Sequence, residues 1–440
     1  MTAILRVAIV GAGPSGFFLA EKLLGQTDRP VAVDLYERLP VPYGLVRFGV
    51  APDHEKIKAV TRSFDKVAGR PGFRFFGNVE IGRHLSVTQL REAYDAVAFT
   101  TGAQSDRRMG IPGEGLVNSH AATEFVAWYN GHPDFRDRHF NLDAESVAVV
   151  GVGNVAVDVA RILSRSPDEL AKTDIADHAL EALRHSKVKQ VYLLGRRGPA
   201  QAAFTTPEVK ELGEMALADA VTLPHEVALD PLSAAQVAAD EDASVTRKIE
   251  VLTQFAERPP AGKPKRLTLR FLVSPTELID DGHGNVSAIR LAHNRLVEKH
   301  GAIAAEPTGE SETIPVGLVF RSVGYRGTAI LGLPFDEKTG TVPNQGGRVS
   351  EGLYVAGWIK RGPSGVIGTN KPDAAATAEA ILADCPFPKP PSAELLVPSA
   401  EIIDWAAWQR INTAETAQGK ASNRPRVKLT TIEAMLNAAR

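Results

Sequence analysis

Residues 5–10 form a strand-like apolar run that breaks into Gly11-Ala-Gly13-Pro-Ser-Gly16, and residues 147–150 do the same before Gly151-Val-Gly153-Asn-Val-Ala156. A helix-compatible segment follows each turn. In this order the first glycine permits the tight turn, the second lets backbone approach a pyrophosphate, and the third lets the helix lie close on its strand. A chain with two such openings has to build two parallel, doubly wound sheets. At 440 residues it is also too long for one ordinary core. The expected fold class is α/β, with two Rossmann-like three-layer dinucleotide-binding domains.

The residues after the two turns have opposite charge. The strand following the first turn ends at Glu37, a carboxylate suited to the free hydroxyls of an adenosine ribose. The strand following the second, residues 191–194, ends in Gly195-Arg196-Arg197-Gly198, whose guanidinium forks suit a 2′-phosphate that a carboxylate would repel. The first site is therefore expected to take FAD and the second NADP(H). Two departures accompany the second: Ala156 replaces the third glycine, and a polar, helix-like stretch from Arg165 to Lys187 separates the two halves of the unit.

A third constellation, Gly357-Trp358-Ile-Lys360-Arg361-Gly362-Pro-Ser-Gly365-Val366-Ile367-Gly368-Thr-Asn370-Lys371, leaves backbone amides bare ahead of a helix expected from about Pro372. Trp358 is a candidate to flank an isoalloxazine ring. Residues 95–103 read as a buried strand ending in small residues. From Val221 to about Glu312 the pattern is strand-rich and reads as completing the second unit, and residues 318–325 read as the crossing back to the first. The second domain is thus inserted in the first: residues 1–108 and 324–440 form the FAD domain, with an appendage from about 386, and residues 109–323 the NADP domain. The appendage is Pro-rich and then amphipathic, with Trp405 and Trp408 near Ile402, and reads as packing.

Composition narrows the chemistry. Cys385 is the single cysteine, which excludes an intrachain disulfide, a Cys-x-x-Cys redox pair, a protein-ligated iron–sulfur cluster and the usual structural zinc. Electrons that enter must leave through a separate molecule. The net charge of −2 gives no global attraction to nucleic acid or an anionic membrane, and no apolar run reaches the length of a membrane span. With its first strand a few residues from Met1, the chain is expected to be a cytoplasmic, monomeric protein without a leader.

Residues 45–54, Gly153-Asn-Val-Ala-Val-Asp-Val-Ala-Arg161, residues 195–205, the 357–371 segment, Asp404-Trp-Ala-Ala-Trp408 and Arg424-Pro-Arg426 together resemble the adrenodoxin-reductase family of ferredoxin–NADP+ reductases. The likeness runs through essentially the whole chain. It implies non-covalent FAD, NADPH as hydride donor, and a ferredoxin-type iron–sulfur protein as acceptor. Carried to matching positions, it places Gly16, Glu37, Leu45, Trp358, Gly365, Val366 and Ile367 at FAD, beside the Gly11, Gly13 and Gly357 backbone. It places Arg107, Val152, Gly153, Asn154, Val155, Arg196, Arg197, Glu208 and Gly365 at NADP. Tyr43 departs from the tryptophan common in close relatives.

Hydride transfer itself needs no acid or base; His54 is the candidate for the proton shed on reoxidation, with Glu211 as its candidate partner. Lys56, Lys58, Arg62 and Lys66, spaced to share a helix face, and Lys360 with Arg361 are candidates for steering an acidic partner. Three other readings share parts of the pattern. A thioredoxin-reductase type of enzyme requires the cysteine pair that is missing, and the flavoprotein half of glutamate synthase usually carries a Cys-rich N-terminal domain. A non-catalytic nucleotide-sensing module, whose folding reports NADP occupancy, would not be a yellow protein bleached by NADPH.

Overall fold

The computed structural model describes residues 4–239, 243–386 and 401–440. Its contacts divide the chain into two units, Met1–Ser105 with Asn130–Arg136 and Gly324–Arg440, and Asp106–Tyr129 with Asp137–Val323. The Pro-rich connector after Cys385 lies almost wholly outside the described residues. Asn130–Arg136, expected in the second unit, belongs instead to the first. The His132 ring lies 4.8 Å from that of Phe48, Asp134 pairs with Arg38 at 2.8 Å, and Asn130 Oδ1 accepts from Lys428 Nζ at 3.1 Å.

In the first unit six strands run in the order Arg348–Ser350, Leu353–Val355, Ala96–Phe99, Leu5–Val10, Val31–Tyr36, Phe73–Phe76. All pair in parallel except the first two. The inner strands are nearly continuous runs of Val, Ala, Ile and Phe because both faces are covered. One apolar cluster, including Phe17, Leu35, Phe64, Ala378 and Trp408, fills one face; a second, including Tyr36, Leu90, Val97 and Val355, fills the other. The helix Pro14–Leu24 packs on Asn370–Asp384. The C-terminal helices Trp405–Ala421 and Ile432–Ala439 close the first cluster, capped by the side chains of Asp404 and Thr431.

In the second unit the order is Ser119–Ala121, Leu318–Arg321, Ser146–Val150, Gln190–Leu194, Lys265–Arg270, Ala218–Thr222, all parallel. Three expectations change here. Residues 224–257 are largely helical, as Pro224–Val227, Pro231–Ala239 and Ser244–Glu257. Val273–Asp280, Val286–Lys299 and Ala302–Pro315 form their own antiparallel sheet, so that only Lys265–Arg270 and Ala218–Thr222 join the parallel one. Ile289 and Leu291 are buried on either side of the exposed Arg290 and join an apolar cluster with Val273, Leu278 and Val286, the alternation expected of an antiparallel strand with one packed face. Leu318–Arg321, read as crossing, is a buried strand of the second sheet, and the boundary falls just after it. The polar 165–187 stretch forms the helices Pro167–Leu170 and Asp177–Arg184, the first held by a Ser166–Glu169 capping box. No helix among the described residues is long and apolar enough to cross a membrane.

Candidate nucleotide-binding sites

Each glycine turn stands at the switch point of its sheet, where the next strand in the chain lies on one side and a later one on the other, the position at which open α/β sheets bind ligands. The local geometry is repeated. Gly11 N donates to Tyr36 O at 2.8 Å, and Gly151 N to Leu194 O at 2.9 Å. Gly11 (φ 108°) and Gly151 (φ 131°) both lie against the strand across the switch point: a Cβ would come to 2.8 Å from Thr100 O and 2.3 Å from Ser322 O respectively. The second glycines behave oppositely, since a Cβ on Gly13 or Gly153 meets nothing within 4 Å. Both are N-caps of 11-residue helices, Pro14–Leu24 and Asn154–Ser164, that carry no side-chain cap and no acid in the first turn. Among the described residues no side chain caps these helix starts, so their first free amides face open space, which fits a pyrophosphate in each unit. Gly16 serves packing, its Cβ position lying 2.2 Å from Gly11 O.

In the first unit Glu37 follows its strand directly and turns its carboxylate to the glycine turn, accepting from Ala12 N at 2.9 Å and Leu39 N at 3.1 Å. Burial raises its pKa although these amides pull it down. Leu45 opens the short helix Leu45–Phe48 and stays part-exposed. The third constellation arrives beside the first: a Cβ on Gly357 would strike Ser15 Oγ, which donates to Asn370 Oδ1 at 3.1 Å. Trp358 is half-buried, 5.4 Å from the Tyr325 ring, and donates to Ser364 O at 3.1 Å. Gly365 and Val366 are exposed and Ile367 half-buried, ahead of the long helix that begins at Asn370. The turn, Glu37 and the 357–370 segment are therefore brought together on one unit. His54 also lies in this unit, 8% exposed, just before the helix Glu55–Lys58.

In the second unit Val152, Gly153, Asn154 and Val155 are half-buried; Val152 O accepts from Ala203 N and Phe204 N, and Asn154 Oδ1 from Thr205 N at 3.0 Å. Arg196 is exposed and Arg197 half-buried. No ion pair engages either guanidinium among the described residues, and burial together with the neighbouring Arg196 charge lowers the Arg197 pKa. Two uncompensated cations at the strand end fit a 2′-phosphate. Arg107 is exposed on this unit, whereas Gly365, assigned to NADP by resemblance, stands on the first.

Sequence reasoning missed Arg161. Its fully buried guanidinium reaches Asp158 at 2.8 Å, Glu208 at 3.4 Å and Glu211 at 3.8 Å, and so holds the two candidate acids of the helix Thr206–Leu212. The available signal was a lone basic residue in an otherwise apolar run, Val159-Ala160-Arg161-Ile162-Leu163. The basic steering patch also changes. Lys56 and Lys58 sit on Glu55–Lys58 but Arg62 and Lys66 on a separate helix, Thr61–Ala68. Lys360 is paired with Asp373 at 2.9 Å, and Arg361 is tied to Ser364 and Asn370, so neither is an open steering charge.

Two switch-point turns with opposite charge behind them define a two-nucleotide oxidoreductase, and residues 5–215 match the pyridine nucleotide-disulphide oxidoreductase family model. The chain is 47% identical to "NADPH-ferredoxin reductase FprA" of Mycobacterium tuberculosis H37Rv, over 98% of both chains, and 39% identical to "NADPH:adrenodoxin oxidoreductase, mitochondrial" of Homo sapiens, over 98% of this chain and 91% of that one. A solved structure of Mycobacterium tuberculosis FprA in complex with NADPH superposes with a TM-score of 0.94 at 45% identity, covering 99% of this chain and all of the other. The chain belongs to the adrenodoxin-reductase-like family of NADPH–ferredoxin reductases.

Proposed function

We propose that this protein is an NADPH–ferredoxin reductase, with NADP(H) on the second unit, non-covalent FAD on the first, and a ferredoxin-type iron–sulfur protein as acceptor. The observation that carries the reading is the repeated switch-point geometry with a carboxylate behind one turn and two uncompensated arginines behind the other. The bound flavin supplies the conversion of a two-electron hydride donor into single-electron delivery. The work of the chain is binding and orientation. Gly13 and Gly153 leave room for the pyrophosphates. Leu45, Trp358, Gly365, Val366 and Ile367 line the flavin, while Arg107, Val152, Asn154, Val155, Glu208 and Gly365 hold the nicotinamide nucleotide. His54 and Glu211, each on its own unit, are the proton-handling groups in this reading. The single cysteine leaves no disulfide chemistry to the chain.

Lys56, Arg62 and Lys66 are exposed and make no ion pair among the described residues, which supports their role in steering an acidic ferredoxin. We further assign the enzyme to the cytoplasm as a monomer. The test is anaerobic titration of the purified yellow protein with NADPH and then NADH, followed by ferredoxin-dependent reduction of a haem protein. Bleaching at much lower NADPH than NADH, and electron delivery that requires added ferredoxin and falls with salt, are expected. A colourless protein, or equal response to both nucleotides, refutes the reading.

A further inference from the structure

The C-terminal helix Trp405–Ala421 buries Ala407, Trp408, Ile411, Glu415 and Gly419, one stripe along its length. Two residues of that stripe, Trp408 and Glu415, reach residues 43–47, the loop and short helix that adjoin the first glycine turn. Trp408 stands edge-on to Tyr43, ring centres 5.6 Å apart, and its Nε1 donates to the Tyr43 hydroxyl at 3.4 Å; that hydroxyl donates in turn to Asp65. Two turns further on, Glu415 takes the Arg47 guanidinium in a two-point ion pair, with Arg47 Nη1 at 2.9 Å and the side chains 3% and 0% exposed. Arg426 Nη1 and Leu429 N also donate to this carboxylate, at 3.0 and 2.9 Å. Lys428 Nζ donates to Arg47 O at 3.3 Å.

The held segment is under strain and touches the flavin turn. Tyr43 has φ 86°, a conformation that side chains disfavour and that persists only where surroundings fix it. In that conformation Tyr43 N donates to Ala12 O at 2.8 Å. Gly44 (φ 49°) packs so closely that a Cβ would sit 3.0 Å from Gly13 Cα. The tail therefore fixes the strained residue, and the strained residue fixes the backbone that has to receive the pyrophosphate.

We propose that the C-terminal helix is a latch for the flavin: Trp408 and Glu415 are positioning residues that act through Tyr43 and Arg47 to keep the FAD turn closed on its cofactor. This rests on the reading of the first unit as the FAD unit. The latch sets how long FAD stays bound and takes no part in hydride transfer.

The test uses the full-length holoprotein and measures FAD release by the rise in fluorescence of freed flavin. Glu415→Gln, which keeps shape and removes the charge, and Trp408→Phe, which keeps a ring and removes the hydrogen bond, are each expected to speed release at least tenfold. Glu415→Asp, which keeps the charge, is expected to recover part of the slow release. Leu90→Ala, in the opposite apolar cluster of the same unit, gives a destabilised protein that releases FAD at the parental rate. Should Glu415→Gln fail to fold, Trp408→Phe decides the matter. Parental release rates in the folded latch variants, or Leu90→Ala accelerating release as much as they do, overturn the latch alone. A parental protein that binds no FAD overturns the latch and the flavin reading together.

Discussion

Replacing Arg196 and Arg197 by alanine should convert the enzyme's preference for NADPH into near indifference, by an amount that follows from their different surroundings. Arg197 is half-buried, and burial and Arg196 both disfavour its charge, so a phosphate there gains a charge-assisted contact worth about 2 kcal/mol, or roughly 30-fold. Arg196 is exposed and screened, and its loss should cost only about fivefold. The two effects must be less than multiplicative. Bound phosphate relieves the repulsion between the arginines, and either single substitution already removes that relief, so the double variant counts it once. The expected fall in kcat/KM for NADPH in the double variant is about 100-fold, with NADH little changed. Steady-state reduction of a dye with each nucleotide measures the ratio. A double variant whose NADPH-to-NADH ratio moves less than threefold, or loses NADH activity in parallel, refutes the assignment of the phosphate to this strand end.

Gly13→Ala and Gly153→Ala should leave the ligand-free protein as stable as before, because each added methyl meets no atom within 4 Å, yet weaken FAD and NADPH respectively by at least about tenfold; calorimetric melting beside ligand titration reads both. Arg161→Met should destabilise the second unit by about 3 kcal/mol, since it removes a fully buried cation from its ion pairs with the Asp158 and Glu208 carboxylates, and should raise KM for NADPH by loosening the hold on Glu208; urea unfolding with steady-state kinetics is the check. His120, half-buried against Phe140 and near the Arg321 and Arg138 charges, has its pKa pushed down to about 4 chiefly by desolvation, below the value of about 6.5 in an unfolded chain. The unfolded form therefore binds the extra proton between these values, and stability is lost as pH falls from about 6.5 towards 4. Between pH 7 and 5 the loss should be roughly 1–2 kcal/mol after allowance for solvent at the ring edge, and His120→Phe should flatten that part of a melting-temperature profile.

The two glycine turns were legible in the sequence because their demands are local: positive φ at Gly11 and Gly151 and close approach at Gly16 hold whatever surrounds them. The family resemblance was legible for the same reason and agrees with the comparisons. What escaped depends on pairing between distant segments. The alternating strands 273–315 read as sheet, but nothing local says which sheet they join. Lys360 and Arg361 read as open charges because Asp373 and Asn370 sit on the following helix, and only folding turns them inward. Arg47 and Glu415 are ordinary surface residue types whose burial appears only when segments 368 residues apart meet. The positive φ of Tyr43 has no sequence signal at all, since a bulky residue there is held by its neighbours rather than by its own preference.

The order of strands also governs how the protein is made. In the first sheet Ala96–Phe99 pairs on one side with Leu5–Val10, which precedes it, and on the other with Leu353–Val355, which the ribosome supplies only after the whole of the second unit. At the usual 5–20 residues per second, that edge waits on the order of ten to fifty seconds without its neighbour. The inserted unit has every strand of its parallel sheet by residue 321 and can close while the outer one is still open. Until Leu353–Val355 arrives, the apolar edge at Ala98 and Phe99, fully buried in the folded protein, is open to wrong pairing. Insertion of one unit in another thus makes the unit that starts first the last to be finished.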